Sequence, residues 1–130
     1  MKGFSPVFGY GKKRDEAFIS LFNMMQKGVH NTAVEKGWWG EGGSDKDDRN
    51  QGEMITLMHS ELSEALEALR HGNPPDDKCP EFDGVSVELA DVLIRMMDFA
   101  EAFGYDIAGA TVAKMAMNKG RSHKHGGKKF

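Results

Sequence analysis

The chain contains a single cysteine, Cys79, in 130 residues. No intramolecular disulfide can form, and a Cys-based zinc site is not expected. The setting that suits this thiol usage is reducing and cytoplasmic. No apolar run approaches the roughly 20 residues needed to cross a bilayer. The amino-terminal stretch MKGFSPVFGYGKKRDE has no apolar segment long enough for a signal peptide. An excess of basic charge is also missing. Seventeen Lys and Arg stand against twenty Asp and Glu, a formal net charge of −3, which gives no general reason to expect a nucleic-acid partner. Val, Ile and Tyr are too scattered for the period-2 alternation of a strand.

What is present is helical periodicity. Hydrophobic residues make up 39% and charged residues 28% of the chain, ordinary values for a globular protein of one domain. Residues 1–14, with three Gly, one Pro and a Lys-Lys-Arg run, read as an irregular arm. A first helix is predicted from Asp15, as N-cap, to before Gly37, with Phe18, Leu21, Phe22, Met25 and Val29 at helical spacing. The Gly-rich, charged stretch 40–50 marks a loop. A second helix is predicted over Gln51–Arg70, with Ile55, Met58, Leu62, Ala65, Leu66 and Leu69 as its apolar stripe. His71-Gly72-Asn73-Pro74-Pro75 ends it. A third helix is predicted over Val85–Phe103, stopped by Gly104, and a fourth from the cap Asp106 to Lys119. Residues 122–130 form a basic tail. The expected class is all-α, a four- to five-helix bundle. Ile94 and Met97 lie away from the main stripe of the third helix, as a subunit interface would require.

Chemistry concentrates in two carboxylate pairs. Glu61 and Glu64 lie in ELSEALEALR, and Glu88 and Asp91 in ELADVLIRMMDFA. Each pair has i, i+3 spacing. At about 100° per residue, Glu61 falls roughly 90° and Glu64 roughly 150° from the centre of its apolar stripe. Glu88 and Asp91 repeat those offsets in the same rotational sense. Antiparallel packing on a shared core then turns the two acidic flanks toward each other. Four converging carboxylates need a counterion, and Mg²⁺ or Mn²⁺ fits, since hard cations take oxygen ligands and bind substrate phosphates. The alternative is that the acids are the solvated faces of two helices. Glu67 repeats the spacing with Glu64, which leaves the second member of that pair ambiguous.

Lys114, Asn118 and Arg121 follow at i, i+4 and i+7, on one face of the fourth helix. A Lys, an amide and an Arg in one stripe suit phosphate oxygens, while cations near a helix C-terminus also favour the macrodipole. Trp38 and Trp39 follow Gly37. One ring can pack on the core while the other stacks on a nucleobase, or both can pack as a lid. His59 and His30 read as packing residues, His30 with a position from which it could approach a base.

These residues together resemble the MazG-like, all-α nucleoside triphosphate pyrophosphatases. The resemblance covers roughly residues 51–121, through ELSEALEALR, ELADVLIR and KMAMNKGR. Gly-Trp-Trp and the basic tail look like a subgroup of that family. The resemblance implies a helical fold assembling as a homodimer or homotetramer. It also implies Mg²⁺-dependent cleavage of a nucleoside triphosphate to the monophosphate and pyrophosphate, in nucleotide-pool house-cleaning. Glu61, Glu64, Glu88 and Asp91 would be the catalytic metal ligands. Lys114, Asn118 and Arg121 would contact phosphate, and Trp38 or Trp39 the base. A phosphoribosyl-ATP pyrophosphohydrolase and a non-catalytic helical interaction module remain as alternatives. A di-iron bundle fits the sequence poorly, because no Glu has a His three residues later.

Overall fold

A computed structural model describes residues 10–121. Residues 1–9 of the expected arm, and the basic tail 122–130, lie outside the described residues. Four α-helices run in order, α1 (Tyr10–Glu35), α2 (Gln51–Arg70), α3 (Gly84–Phe103) and α4 (Ile107–Lys119). No strand occurs among the described residues, and the protein is all-α. No helix among the described residues is long and apolar enough to cross a membrane.

The first helix begins earlier than its sequence signals suggested. Asp15 is not its N-cap but an interior residue, buried, with its carboxylate taking two bonds from the neighbouring Arg14 guanidinium at 3.0 and 2.9 Å. Lys12, Lys13 and Arg14 are good helix formers, and the helix already includes them and Tyr10. The helix ends as expected. Gly37 takes φ +85°, a left-handed conformation that a side chain would strain. Two short 3₁₀ turns, Glu41–Gly43 and Lys46–Asp48, organise the following loop.

The other boundaries follow cap chemistry. The Asn50 side chain accepts from the Glu53 N–H, Asp83 from Ser86, and Asp106 from Gly109. The Ser86 backbone N–H bond is the main reason the Asp83 carboxyl sits below its ordinary pKa. The α2–α3 connection is held by an isolated antiparallel bridge between Pro75 and Asp83, and by Asp76 accepting from the Lys78 and Cys79 N–H groups. This hairpin-like closure makes α2 and α3 an antiparallel, closely packed pair. A Cβ on Gly84 would stand 3.0 Å from the Ala68 Cβ, so the first turn of α3 approaches α2 closely enough that any side chain there would force a small shift.

The chain divides into two compact units. One holds residues 10–25 and 106–121 of the described chain, and Ala108 and Val112 are buried in α4. The other, residues 26–105, holds the α2–α3 pair and the loop before it. Its buried residues include Trp39, Ala65, Met97, Phe99, Ala100 and Ala102. An aromatic chain runs through it. Trp39 meets Phe103 edge-on at 5.7 Å, Phe103 meets Phe99 at 5.3 Å, and Phe99 stacks on Tyr105 at 5.2 Å.

Three expectations are corrected here. Met97 is buried rather than presented on an open face; only Ile94 of that pair is exposed. His59 is exposed, not half-buried, because its side of α2 faces away from α3. Most of the α2 stripe also stays open. Ala65 is buried, but Ile55, Leu62, Leu66 and Leu69 are exposed. A single helix packed beside α2 covers a narrower strip than the stripe occupies.

Candidate functional site

The residues-26–105 unit brings Glu61, Glu88 and Asp91 together. One carboxylate oxygen from each lies within 4.8 Å of the others. All three side chains are half-buried. Helix geometry causes this, since Glu88 and Asp91 share one face of α3 and Glu61 faces them from antiparallel α2. Glu64 does not enter this triplet and is exposed. Its charge nonetheless contributes to raising the Glu88 pKa. Glu67 turns elsewhere, to Arg70 at 2.9 Å, so neither Glu64 nor Glu67 joins the triplet.

The electrostatics of the triplet are unfavourable in the way expected of a cation site. The Glu88 carboxyl is pushed above its ordinary value, first by desolvation, then by a hydrogen bond with Glu61 and the charges of Asp91, Glu61 and Glu64. Asp91 is also raised, by desolvation and then by Glu61, with Arg95 opposing the rise. Octahedral Mg²⁺ holds oxygens at about 2.1 Å, so opposed ligands stand about 4.2 Å apart. Adjacent ligands stand about 3.0 Å apart, and at most one pair among three can be opposed, so carboxylate oxygens within 4.8 Å of one another would have to draw in by side-chain rotation to share one ion. An all-carboxylate donor set with no thiolate or imidazole selects hard cations such as Mg²⁺ or Mn²⁺.

Beside the triplet lies a cavity of about 410 Å³, within the size range of small-molecule sites. Glu61 and Asp91 line it at one end. Trp38 and Trp39 line it too, with the cations Lys36, Arg49 and Arg95. The two tryptophans occupy different environments. Trp39 is 1% exposed and Trp38 is 70% exposed. The Trp39 indole N–H donates to both oxygens of Asp98, at 2.9 and 3.0 Å. His30 Nδ1 lies 2.7 Å from the same carboxylate and meets the Trp39 ring edge-on at 5.4 Å. The Arg49 guanidinium sits 5.0 Å over the Trp39 ring and donates to the Trp38 carbonyl. Asp98 is thus a hub that fixes the cavity wall and leaves Trp38 free at the rim. His30 lies beside the cavity wall through this bond.

Lys114 and Asn118 on α4, and Arg121 just after it, are exposed. They belong to the unit of residues 10–25 and 106–121. Lys114 Nζ lies 3.5 Å from the Met117 sulfur.

Reading the sequence missed Arg95 and Asp98. A signal was available. Glu88, Asp91, Arg95 and Asp98 are spaced i, i+3, i+7 and i+10 and share a stripe about 80° wide on α3. Arg95 and Asp98 carry the acidic edge of α3 on to the cavity wall. Arg49 and Lys36 gave no such signal, because they reach the cavity only through the fold of the loop.

No family model, no curated protein and no solved structure matches this chain.

Proposed function

We propose that the protein is a Mg²⁺-dependent nucleoside triphosphate pyrophosphohydrolase, converting a (deoxy)nucleoside triphosphate to the monophosphate and pyrophosphate. The observation that carries this reading is the Glu61–Glu88–Asp91 triplet, two of whose members, Glu61 and Asp91, line a cavity with two tryptophans and three cations. Carboxylates are repulsive to a triphosphate unless a cation stands between them, so their juxtaposition with a cationic, aromatic cavity has one economical chemical reading.

Glu61, Glu88 and Asp91 would hold the metal, with Glu64 turning in to complete the set. Bound there, Mg²⁺ would polarise a phosphoryl oxygen and lower the pKa of an attacking water. A carboxylate oxygen not engaged by the metal would take the proton from that water. Trp38 would stack on the base at the cavity rim, against the fixed wall of Trp39. Lys114, Asn118 and Arg121 are proposed as further phosphate contacts. The exposed leucines of α2 and α3 support a homo-oligomer, a dimer or tetramer, as the working form.

Pyrophosphate release, measured over a panel of ribo- and deoxyribonucleoside triphosphates with Mg²⁺, tests the proposal. Turnover should vanish with chelator. Asp91→Asn and Glu88→Gln should each lower kcat by roughly 10³-fold, the scale of losing several kcal/mol of transition-state charge stabilisation. Glu64→Gln should cost less. Folded protein that turns over no nucleotide in the panel refutes the proposal.

A further inference from the structure

One cation of the cavity is already engaged with the acidic triplet. Arg95 Nε donates to Glu61 Oε1 at 2.8 Å, across the α2–α3 interface. Arg95 stands one turn beyond Asp91 on α3, and its side chain is 43% exposed against 15% for Glu61. It also lines the cavity, together with Glu61, Asp91 and both tryptophans. A guanidinium bonded to a carboxylate that would ligate a metal competes with that metal for the oxygen lone pairs. The same planar fork matches a phosphate as well as it matches a carboxylate.

We infer that Arg95 is a handover residue: it neutralises Glu61 while the metal site is empty, and moves to a phosphate oxygen of the substrate once a divalent cation takes Glu61. This rests on the metal reading proposed above, and adds to it an order of events and a residue for specificity. The handover has a physical rationale. A permanent Arg–Glu pair would block the metal. A site with no local cation would leave three close carboxylates uncompensated, and would offer a triphosphate nothing on that side of the cavity. A partly exposed arginine on a long stem can serve both states, because the exchange needs only side-chain rotation.

The inference predicts opposite signs for two measurements on one variant. In Arg95→Met, which keeps the apolar stem and loses the charge, nucleotide-free protein should bind Mn²⁺ about two- to fivefold more tightly than wild type by calorimetry, the scale of a partly exposed ion pair. The same variant should show a KM for nucleoside triphosphate raised roughly tenfold or more, the scale of a lost charge-assisted bond. Arg95→Lys, keeping charge but not the fork, should bind Mn²⁺ like wild type and have an intermediate KM. Unchanged or weaker Mn²⁺ binding by Arg95→Met overturns the handover, as does an unchanged KM. Wild-type protein offers a check independent of any variant. The Arg95 ¹⁵Nε resonance should shift on adding Mg²⁺, and again on adding a non-hydrolysable triphosphate analogue; a resonance that Mg²⁺ leaves in place overturns the inference. The two proposals fail differently. Wild type that binds no Mn²⁺ removes the metal reading and the handover together, whereas wild type that binds Mn²⁺ alongside an indifferent Arg95→Met removes the handover alone.

Discussion

Trp38 and Trp39 are chemically identical neighbours with opposite surroundings, and the difference comes from one carboxylate. Asp98 takes the Trp39 indole N–H with both oxygens, so that ring is drawn in and sealed by Phe103 and His30. Trp38, one residue earlier in the turn, is 70% exposed. Burial and hydrogen bonding make Trp39 a stability residue, and exposure makes Trp38 available to a ligand. Trp39→Phe keeps the aromatic bulk but removes a bond to a half-buried carboxylate, and should cost about 1–3 kcal/mol in denaturant melts. Trp38→Ala should change stability by less than about 0.5 kcal/mol. It should nevertheless raise the KM for nucleotide roughly tenfold, as loss of one base–aromatic stack would. Equal KM values for wild type and Trp38→Ala would remove the stacking role. The sequence announced a tryptophan pair at a loop mouth and the possibility of two roles. It did not say which ring takes which, because the deciding partner lies 59 residues away.

At the scale of elements, the α2–α3 pair combines good caps with a repulsive seam. Asn50, Asp83 and the positive-φ Gly104 define the helix ends. The Glu61–Glu88–Asp91 seam works against the pairing. Glu88 and Asp91 have folded-state pKa values above their ordinary values of 4.5 and 3.8. The native state therefore binds more protons than the unfolded state through that interval, and the metal-free protein loses stability as pH rises through the raised values. Below the ordinary values both states are protonated, and this destabilisation is absent. Glu88→Gln should accordingly raise the metal-free melting temperature at pH 7 by about 2–3 °C, the scale of relieving a like-charge contact. The gain should disappear near pH 3. Saturating Mg²⁺ should stabilise wild type more than the variant, by up to about 2.7 kcal/mol at a hundredfold excess over Kd. A Glu88→Gln protein that melts below wild type without metal at pH 7 would contradict the seam as described. The existence of both helices and the matched offsets of Glu61, Glu88 and Asp91 were legible from period and spacing. The Arg95–Glu61 bond was not, because a single helix pattern carries no information on what a long cationic side chain meets on the opposite helix.

At the scale of the whole molecule, the main unresolved demand is apolar surface. Ile55, Leu57, Leu62, Leu66 and Leu69 on α2 and Leu89, Leu93 and Ile94 on α3 are all exposed. Leucines recurring this way along two adjacent helices exceed the scattered apolar residues of an ordinary surface. A second copy of the chain is the proposed cover. Light scattering at micromolar concentration should return two or four times the chain mass of 14.4 kDa. The Leu62→Lys/Leu66→Lys protein should shift toward the single-chain mass and melt earlier. A wild-type protein of single-chain mass would refute the assembly. The sequence showed these leucines as a stripe and implied a core. That inference assumed that a stripe is filled by its own chain, and the structure leaves much of it open.

What the sequence determined alone was most of what is local, the start of α1 excepted, where Asp15 lies inside the helix rather than at its cap. Period 3.6, Asx caps at Asn50, Asp83 and Asp106, and glycines at 37, 72 and 104 define helices wherever the rest of the chain lies, because those signals act within one or two turns. The i, i+3 acid pairs were likewise fixed to one face of each helix by rotation per residue. Only tertiary structure decided which acids meet, that Glu67 turns to Arg70, that Asp98 holds Trp39 and His30, and that Arg95 sits on Glu61. Those outcomes depend on the packing of α2 against α3 and on the path of the loop from Gly37 to Asn50. Both are set by distances between residues far apart in sequence, which no helical period encodes.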